Sequence, residues 1–292
     1  MSSRHANHQQ ARISRRGFLK AAGGVLAGSL FGASGTAYYS LAIEPERVQV
    51  EQITITIPRL PQAFEGLRAV QISDLHYKPY VQLDYLERCF GLVNELNPDL
   101  ILMTGDYVHE SAVAINELVP ALSGLEASLG VFAVAGNHDY WTDIDVIRAG
   151  FQAAGIPFLT NENVQVERDG MQLAICGLDD AWAGTPDLDQ AVAGVAAETV
   201  RILLAHEPDQ AVWWLAYDMI DLQLSGHSHG GQVCLPFIGA PVLPVDARLY
   251  SAGLYQVKTG QLYVNRGLGV APLPIRFNCP PEITEITLTA GR

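Results

Sequence analysis

The sequence predicts an α/β fold in which two stacked β-sheets are flanked by helices within one domain. Three observations carry this. Apolar residues make up 49% of the 292 positions and charged residues 17%. That composition can bury a large core and excludes collagen, coiled coil and bulk disorder. Strand-like runs alternate with helix-period runs through the first half, and strand-like runs dominate the second, the pattern of packed layers. The length suits one α/β domain of roughly 240 residues behind an N-terminal tail.

The elements follow in order. Residues 48–57 alternate apolar and polar side chains and read as a strand stopped by Pro58. Residues 67–73 form a strand that ends at Asp74. Residues 80–97 place Leu83, Leu86, Phe90, Val93 and Leu96 on one helical face, and Pro98 ends that helix. Residues 100–104 are a buried-type strand ending at Gly105-Asp106. Residues 115–125 read as helix, and 131–135 as a short strand running into Gly136-Asn137-His138-Asp139. Residues 142–154 read as a helix capped by Thr142. Residues 164–167 and 171–176 form a hairpin around Asp169-Gly170. Residues 201–205 are a strand ending at His206, and 210–217 a helix whose Trp213-Trp214 pair packs in the core. Residues 220–224 are a strand ending at Gly226-His227-Ser228-His229. Late strands fall at 254–257, 262–265 and 283–289.

The net charge of -13 is unevenly spread. Arg4, Arg12, Arg15, Arg16 and Lys20 fall in the first twenty residues, which hold no acid, so the remainder sets 13 bases against 31 acids. Such a body repels DNA and RNA, which argues against a nucleic-acid scaffold as partner. The four cysteines, Cys89, Cys176, Cys234 and Cys279, form no CxxC pair, so no zinc knuckle or thioredoxin-like motif is expected. Cys89 and Cys176 sit in apolar runs and read as packed thiols. Pairing of Cys234 with Cys279 stays open.

Ser14-Arg15-Arg16-Gly17-Phe18-Leu19-Lys20 resembles the twin-arginine export signal at each position of its S-R-R-x-F-L-K pattern. The run 21–43 carries no charge and is rich in Gly, Ala and Ser. Residues 1–43 are therefore expected to be a twin-arginine signal peptide or N-terminal anchor, and 44–292 the domain it delivers. The implied partner is the twin-arginine translocation machinery. The expected location is the periplasm, the cell wall or the outer face of the cytoplasmic membrane. Cleavage after Ala37 or Ala42 and retention as an anchor both stay open. A helix over 21–43 would reach about 34 Å, long enough for membrane association through residues 18–43.

Five of the six histidines outside the first eight residues follow predicted strands, in Asp74-Leu75-His76, Asn137-His138-Asp139, His206 and His227-Ser228-His229. Asp74 and Asp106 fall at equivalent positions. Ligands of open α/β sheets bind outside the carboxyl ends of the strands, so these groups aim at one rim. Mixed His and Asp donors without thiolate suit Zn, Fe, Mn or Co. Seven such donors exceed the needs of one tetrahedral ion, whereas two ions sharing a carboxylate would use them. Each motif alone is weak, because a lone strand-end histidine is commonly a hydrogen-bonded loop residue.

Taken in order, D-x-H, G-D, G-N-H-D, H and G-H-x-H resemble the calcineurin-like metallophosphoesterase superfamily across about residues 48–289. Within it they are similar to the twin-arginine-exported phosphodiesterase branch, which Val264-Asn265-Arg266-Gly267-Leu268-Gly269 also fits. The resemblance implies a four-layer αββα sandwich and two divalent ions (Mn, Fe, Zn or Co) about 3.5 Å apart. By motif position it implies that Asp74, His76, Asp106 and His229 hold one ion. Asp106 then bridges to a second ion completed by Asn137, His206 and His227. His138 would face the scissile phosphate as general acid or charge stabiliser, with Asn137 touching a phosphoryl oxygen and Asp139 orienting His138. No role follows for His109.

The implied activity is attack of a metal-bridging hydroxide on a phosphodiester or lipid-linked phosphate of the envelope. Alternatives are a UDP-2,3-diacylglucosamine pyrophosphatase-like hydrolase acting on a lipid-linked diphosphate, and a non-catalytic metal-binding protein of the same fold. Arg266 is either a bidentate phosphate clamp or half of a structural salt bridge. The apolar run 230–249 is either a lid or lipid-facing loop, or part of the core.

Overall fold

The computed structural model describes residues 34–291. The twin-arginine stretch 14–20 and most of the uncharged run 21–43 lie outside the described residues. Among the described residues, no helix is long and apolar enough to cross a membrane.

The first sheet has the order β1-β11-β2-β3-β4. Its strands are β1 (Gln49–Ile57), β2 (Arg68–Ile72), β3 (Leu100–Met103), β4 (Val131–Ala133) and, from the far end of the chain, β11 (Glu282–Ala290). β11 runs parallel to β1 and antiparallel to β2, so the last strand is inserted between the first two. The second sheet has the order β5-β6-β7-β8-β10-β9. It comprises β5 (Glu162–Arg168), β6 (Met171–Gly177), β7 (Val200–Leu204), β8 (Leu222–Ser225), β9 (Gly253–Val257) and β10 (Gly260–Val264). β2, β3 and β4 are mutually parallel, as are β6, β7 and β8.

Alternation along the strands makes the layers, because successive side chains point to opposite faces. Ala69, Leu100 and Leu102 face Leu173, Ile175, Ile202, Leu204, Leu222 and Leu224 across the space between the sheets. The intervening Val70, Ile101 and Met103 face outward onto α1 (Leu83–Glu95), α2 (Ile115–Leu122) and α4 (Ile144–Ala154). On the other side Ala174, Cys176 and Leu203 pack beneath α5 (Leu188–Ala191) and α6 (Ala211–Trp214). The order is therefore helix, sheet, sheet, helix, as expected.

Three local expectations change. α3 (Asn137–Thr142) is a short helix where the sequence predicts only the end of a strand. Thr142 closes α3 instead of opening the next helix. Asp143 caps α4, its Oδ1 accepting from the backbone N–H of Asp145 at 3.2 Å and of Val146 at 3.4 Å. The helix expected over 210–217 shrinks to α6, and Trp213 is 63% exposed instead of packed in the core. Only Trp214 of that pair packs against the layer beneath.

Candidate metal centre

Five strand ends converge at the carboxyl rim. β2 delivers Asp74 and His76, β3 Asp106, β4 Asn137 and His138, β7 His206, and β8 His227 and His229. Backbone hydrogen bonds tie these ends to one another. Asp74 N–H donates to Gly105 O at 2.9 Å, His76 N–H to Asp106 O at 3.0 Å, and Gly226 N–H to His206 O at 3.1 Å.

The side chains meet in two buried groups, Asp74 with His76 and His229, and Asp106 with His206 and His227. His76 Nε2 lies 3.0 Å from His229 Nε2, and His229 Nε2 lies 3.4 Å from Asp74 Oδ1. Asp106 Oδ2 stands between the groups, 3.4 Å from His76 Nε2 and 3.3 Å from His206 Nε2.

This crowding is built into the backbone. Asp74, His76, Asp106, His227 and His229 all have positive φ, between 45° and 66°. Such conformations cost on the order of 1–3 kcal/mol each in a non-glycine residue and gather at functional sites. The neighbouring glycines allow the close approach. A Cβ on Gly226 would lie 1.9 Å from Ser73 Oγ and 2.2 Å from Asp74 Oδ2. One on Gly136 would lie 2.3 Å from Asp106 Oδ1.

Burial sets the charge state. It holds His76 and His229 well below the usual imidazole range and, with His206 nearby, His227 at about 4. These three rings are neutral and offer lone pairs. Burial also lifts Asp74 to about 6, against the pull of His206. For the pair Asp106 and His206, burial opposes both charges. Mutual attraction prevails, holding the carboxyl low and the imidazole high.

Outer hydrogen bonds fix the rings, as they do for metal-binding histidines. His206 Nδ1 donates to Thr104 O at 2.6 Å, and His227 Nε2 to Val245 O at 2.7 Å, so the opposite nitrogen of each faces the site; on His206 a divalent cation would take the place of the proton that Asp106 stabilises. His206 Nε2 and Asn137 Oδ1 are buried without a hydrogen-bond partner. Buried polar atoms seldom go unsatisfied. Unpartnered polar atoms among carboxylates and imidazoles fit a divalent cation.

Beside these groups opens a cavity of about 680 Å³. His138 lines it, half-buried, with its backbone N–H donating to Asp106 Oδ1 at 2.8 Å. The His138 ring is held by His109. The two rings stack with centroids 5.0 Å apart, and His138 Nδ1 lies 3.3 Å from His109 O. His109 Nδ1 also lies 3.3 Å from His76 Nδ1, so the histidine left without a role packs against two members of the site.

Asp139 does not orient His138. It is fully buried, and its carboxylate accepts the backbone N–H groups of Asp106, Tyr107 and Gly136, each at 2.9 Å. It clamps the β3 and β4 loops together instead. Burial and then the charge of Asp106 push the Asp139 carboxyl upward, against the pull of these N–H groups.

Arg266 is not a phosphate clamp. Its guanidinium pairs with Glu282 at 2.9 Å and Glu51 at 2.7 Å, and it does not line the cavity. Trp141 and Trp182, which the sequence reading passed over, meet edge to face at 5.0 Å on the cavity wall. Trp141 lies one turn beyond His138 on α3, a signal that becomes visible only once α3 is known to be helical.

The chain matches the calcineurin-like phosphoesterase family over residues 67–231. It is 37% identical over 286 residues to the metallophosphoesterase YkuE of Bacillus subtilis, covering 95% of this chain and 98% of that one. It is 32% identical over 280 residues to the phosphodiesterase YaeI of Escherichia coli, covering 94% and 99%. A Danio rerio transmembrane protein with a metallophosphoesterase domain is 32% identical over 265 residues, covering 86% of this chain and 60% of its own length. With these strand-end histidines and aspartates, the chain belongs to the calcineurin-like metallophosphoesterases.

Proposed function

We propose that this protein is a phosphodiesterase of the cell envelope that works with two divalent cations. The observation that carries this reading is the position of Asp106, whose Oδ2 lies 3.4 Å from one histidine of the first group and 3.3 Å from one of the second. That position suits a carboxylate that two ions would share. Asp74, His76 and His229 would hold one ion, and Asn137, His206 and His227 the other. Bound there, the cations supply positive charge against an anionic ester and a solvent nucleophile at neutral pH.

The remaining work falls to this chain's own groups. Asn137 offers its amide to a phosphoryl oxygen at the floor of the cavity. His138, held through Nδ1 by the His109 carbonyl, turns Nε2 toward the leaving oxygen as proton donor. Asp139 keeps the loops that carry Asp106 and Asn137 in register. The phosphodiesterase activity named for the YaeI relative supports the ester class. The twin-arginine stretch 14–20 supports export, with residues 1–43 as signal or anchor ahead of the 44–292 domain.

The test is hydrolysis of bis-p-nitrophenyl phosphate with added Mn²⁺, with and without chelator. Metal-dependent turnover is expected. A metal-loaded protein that leaves the ester intact, or turnover that ignores chelator, would overturn the proposal.

A further inference from the structure

The cavity is far larger than the reaction needs. At roughly 30 Å³ per water, its 680 Å³ has room for on the order of twenty waters, and a phosphoryl group fills only a few of those places. Its two ends differ in chemistry. One end is His76, Asp106, Asn137, His138, His227 and His229. The other is walled by Val233, Val242, Leu243, Leu273 and Ile275, with no charged side chain among the residues lining it. A phosphate placed at the first end therefore sends its ester substituent along the second.

The apolar wall continues to the surface. Val242 is 75% and Leu273 62% exposed, Ile238 is nearly as exposed as Val242, and Phe237 at the loop tip projects fully. The middle of the run 230–249 is thus not core packing, although Ala247 near its end is buried, and apolar residues exposed together mark an interaction site. The uncharged N-terminal run reaches the domain at the same place. Ser40 O accepts from Arg276 N–H at 3.0 Å, and Leu41 and Ala42 lie beside Gly269, Val270 and Pro274, in the segment that also supplies Leu273 and Ile275 to the wall.

We infer that the substrate is an amphiphilic phosphoester whose long hydrocarbon chain lies in the apolar half of this cavity. The inference rests on the phosphoesterase reading and adds the class of substituent. In the reaction, water adds to phosphorus and one P–O ester bond breaks. The proton goes to the departing oxygen, and the phosphate keeps the hydrocarbon ester or releases it as an alcohol, according to which bond is cut. Each methylene moved from water into the wall is worth roughly fourfold in binding, so a chain of several carbons dominates selectivity.

The test compares two p-nitrophenyl phosphodiesters, one with a methyl and one with a dodecyl second ester group. The full chain is loaded with Mn²⁺, and the dodecyl ester is kept below its micelle concentration. The dodecyl ester is expected to show kcat/KM higher by at least about tenfold, as expected for a few buried methylenes. Val242→Asp and Leu273→Asp, both at exposed wall positions, should each lower that ratio severalfold. Trp141 and Trp182 provide a second readout. Dodecylphosphonate should quench tryptophan fluorescence at a concentration at least tenfold below that of methylphosphonate, and the same variants should erode the difference. A ratio near one, or a high ratio that neither substitution moves, overturns the inference while leaving the phosphoesterase reading intact. Failure of both esters to react under metal loading overturns the two together.

Discussion

Replacing Asp139 with Asn separates two accounts of this residue. In the structure Oδ2 accepts from Asp106 N–H and Gly136 N–H, and Oδ1 from Tyr107 N–H, all at 2.9 Å and all buried. An amide has one acceptor oxygen. Its best placement keeps the two bonds that converge on Oδ2 and turns its NH₂ toward Tyr107 N–H, donor against donor. One buried backbone N–H is left unsatisfied, at a cost of about 1–3 kcal/mol. For a domain of this size that lowers Tm by about 2–12 °C. The assay is urea unfolding followed by circular dichroism, run in chelator so that metal binding does not enter, with elemental analysis of metal-loaded samples alongside. Asp139→Asn should unfold earlier and bind less metal, because the Asp106 backbone loses its anchor. If instead it unfolds with wild-type stability, holds full metal and loses turnover as His138→Ala does, then Asp139 acts through His138 and the clamp argument is wrong.

Other outcomes are expected. Asp106→Ala should lose both metal occupancy and activity, whereas His138→Ala should keep its metal and lose most turnover; equal activity of wild type and His138→Ala would exclude the role given to that ring. Gly226→Ala should destabilise the fold by about 1–3 kcal/mol and weaken metal binding, since the added Cβ would sit 2.2 Å from Asp74 Oδ2; a thermal melt matching wild type would refute this. Hydrogen bonding from Cys279 lowers the Cys234 thiol to about 7, so its thiolate forms as pH rises through that value. Iodoacetamide labelling of Cys234 should rise with a midpoint near 7. Cys89 and Cys176, pushed by burial to about 12, should stay unlabelled in the folded protein, and peptide mass analysis would show any departure.

The strands were legible because their signals are local. Alternation and Pro58 give β1 to within a residue at its start, and Asp169-Gly170 marks the β5–β6 hairpin. The candidate ligands were legible for a related reason: in parallel strands the functional rim follows the last strand residue, so Asp74, Asp106, Asn137, His206 and His227 could be located by counting. What escaped depends on packing between distant segments. Asp139 follows His138 in sequence, yet its carboxylate reaches backbone 32 and 33 residues away. Gly136-Asn137-His138-Asp139 has the composition of a turn, and only the buried Asp139 anchor lets a helix start there. Arg266 sits in a motif-like run, but its partners Glu51 and Glu282 come from β1 and β11, strands that sequence alone does not bring together.

The placement of β11 constrains how this domain can be made. Among the described residues β1 pairs with β11 alone, and β11 is contributed by residues 282–290. During synthesis β1 emerges long before β11 and waits with both edges bare until residues 282–290 have followed it out of the ribosome. The first sheet therefore closes only once residues 282–290 have been made and released, and a nascent chain stopped short of residue 282 would expose a naked strand to chaperones or to its neighbours.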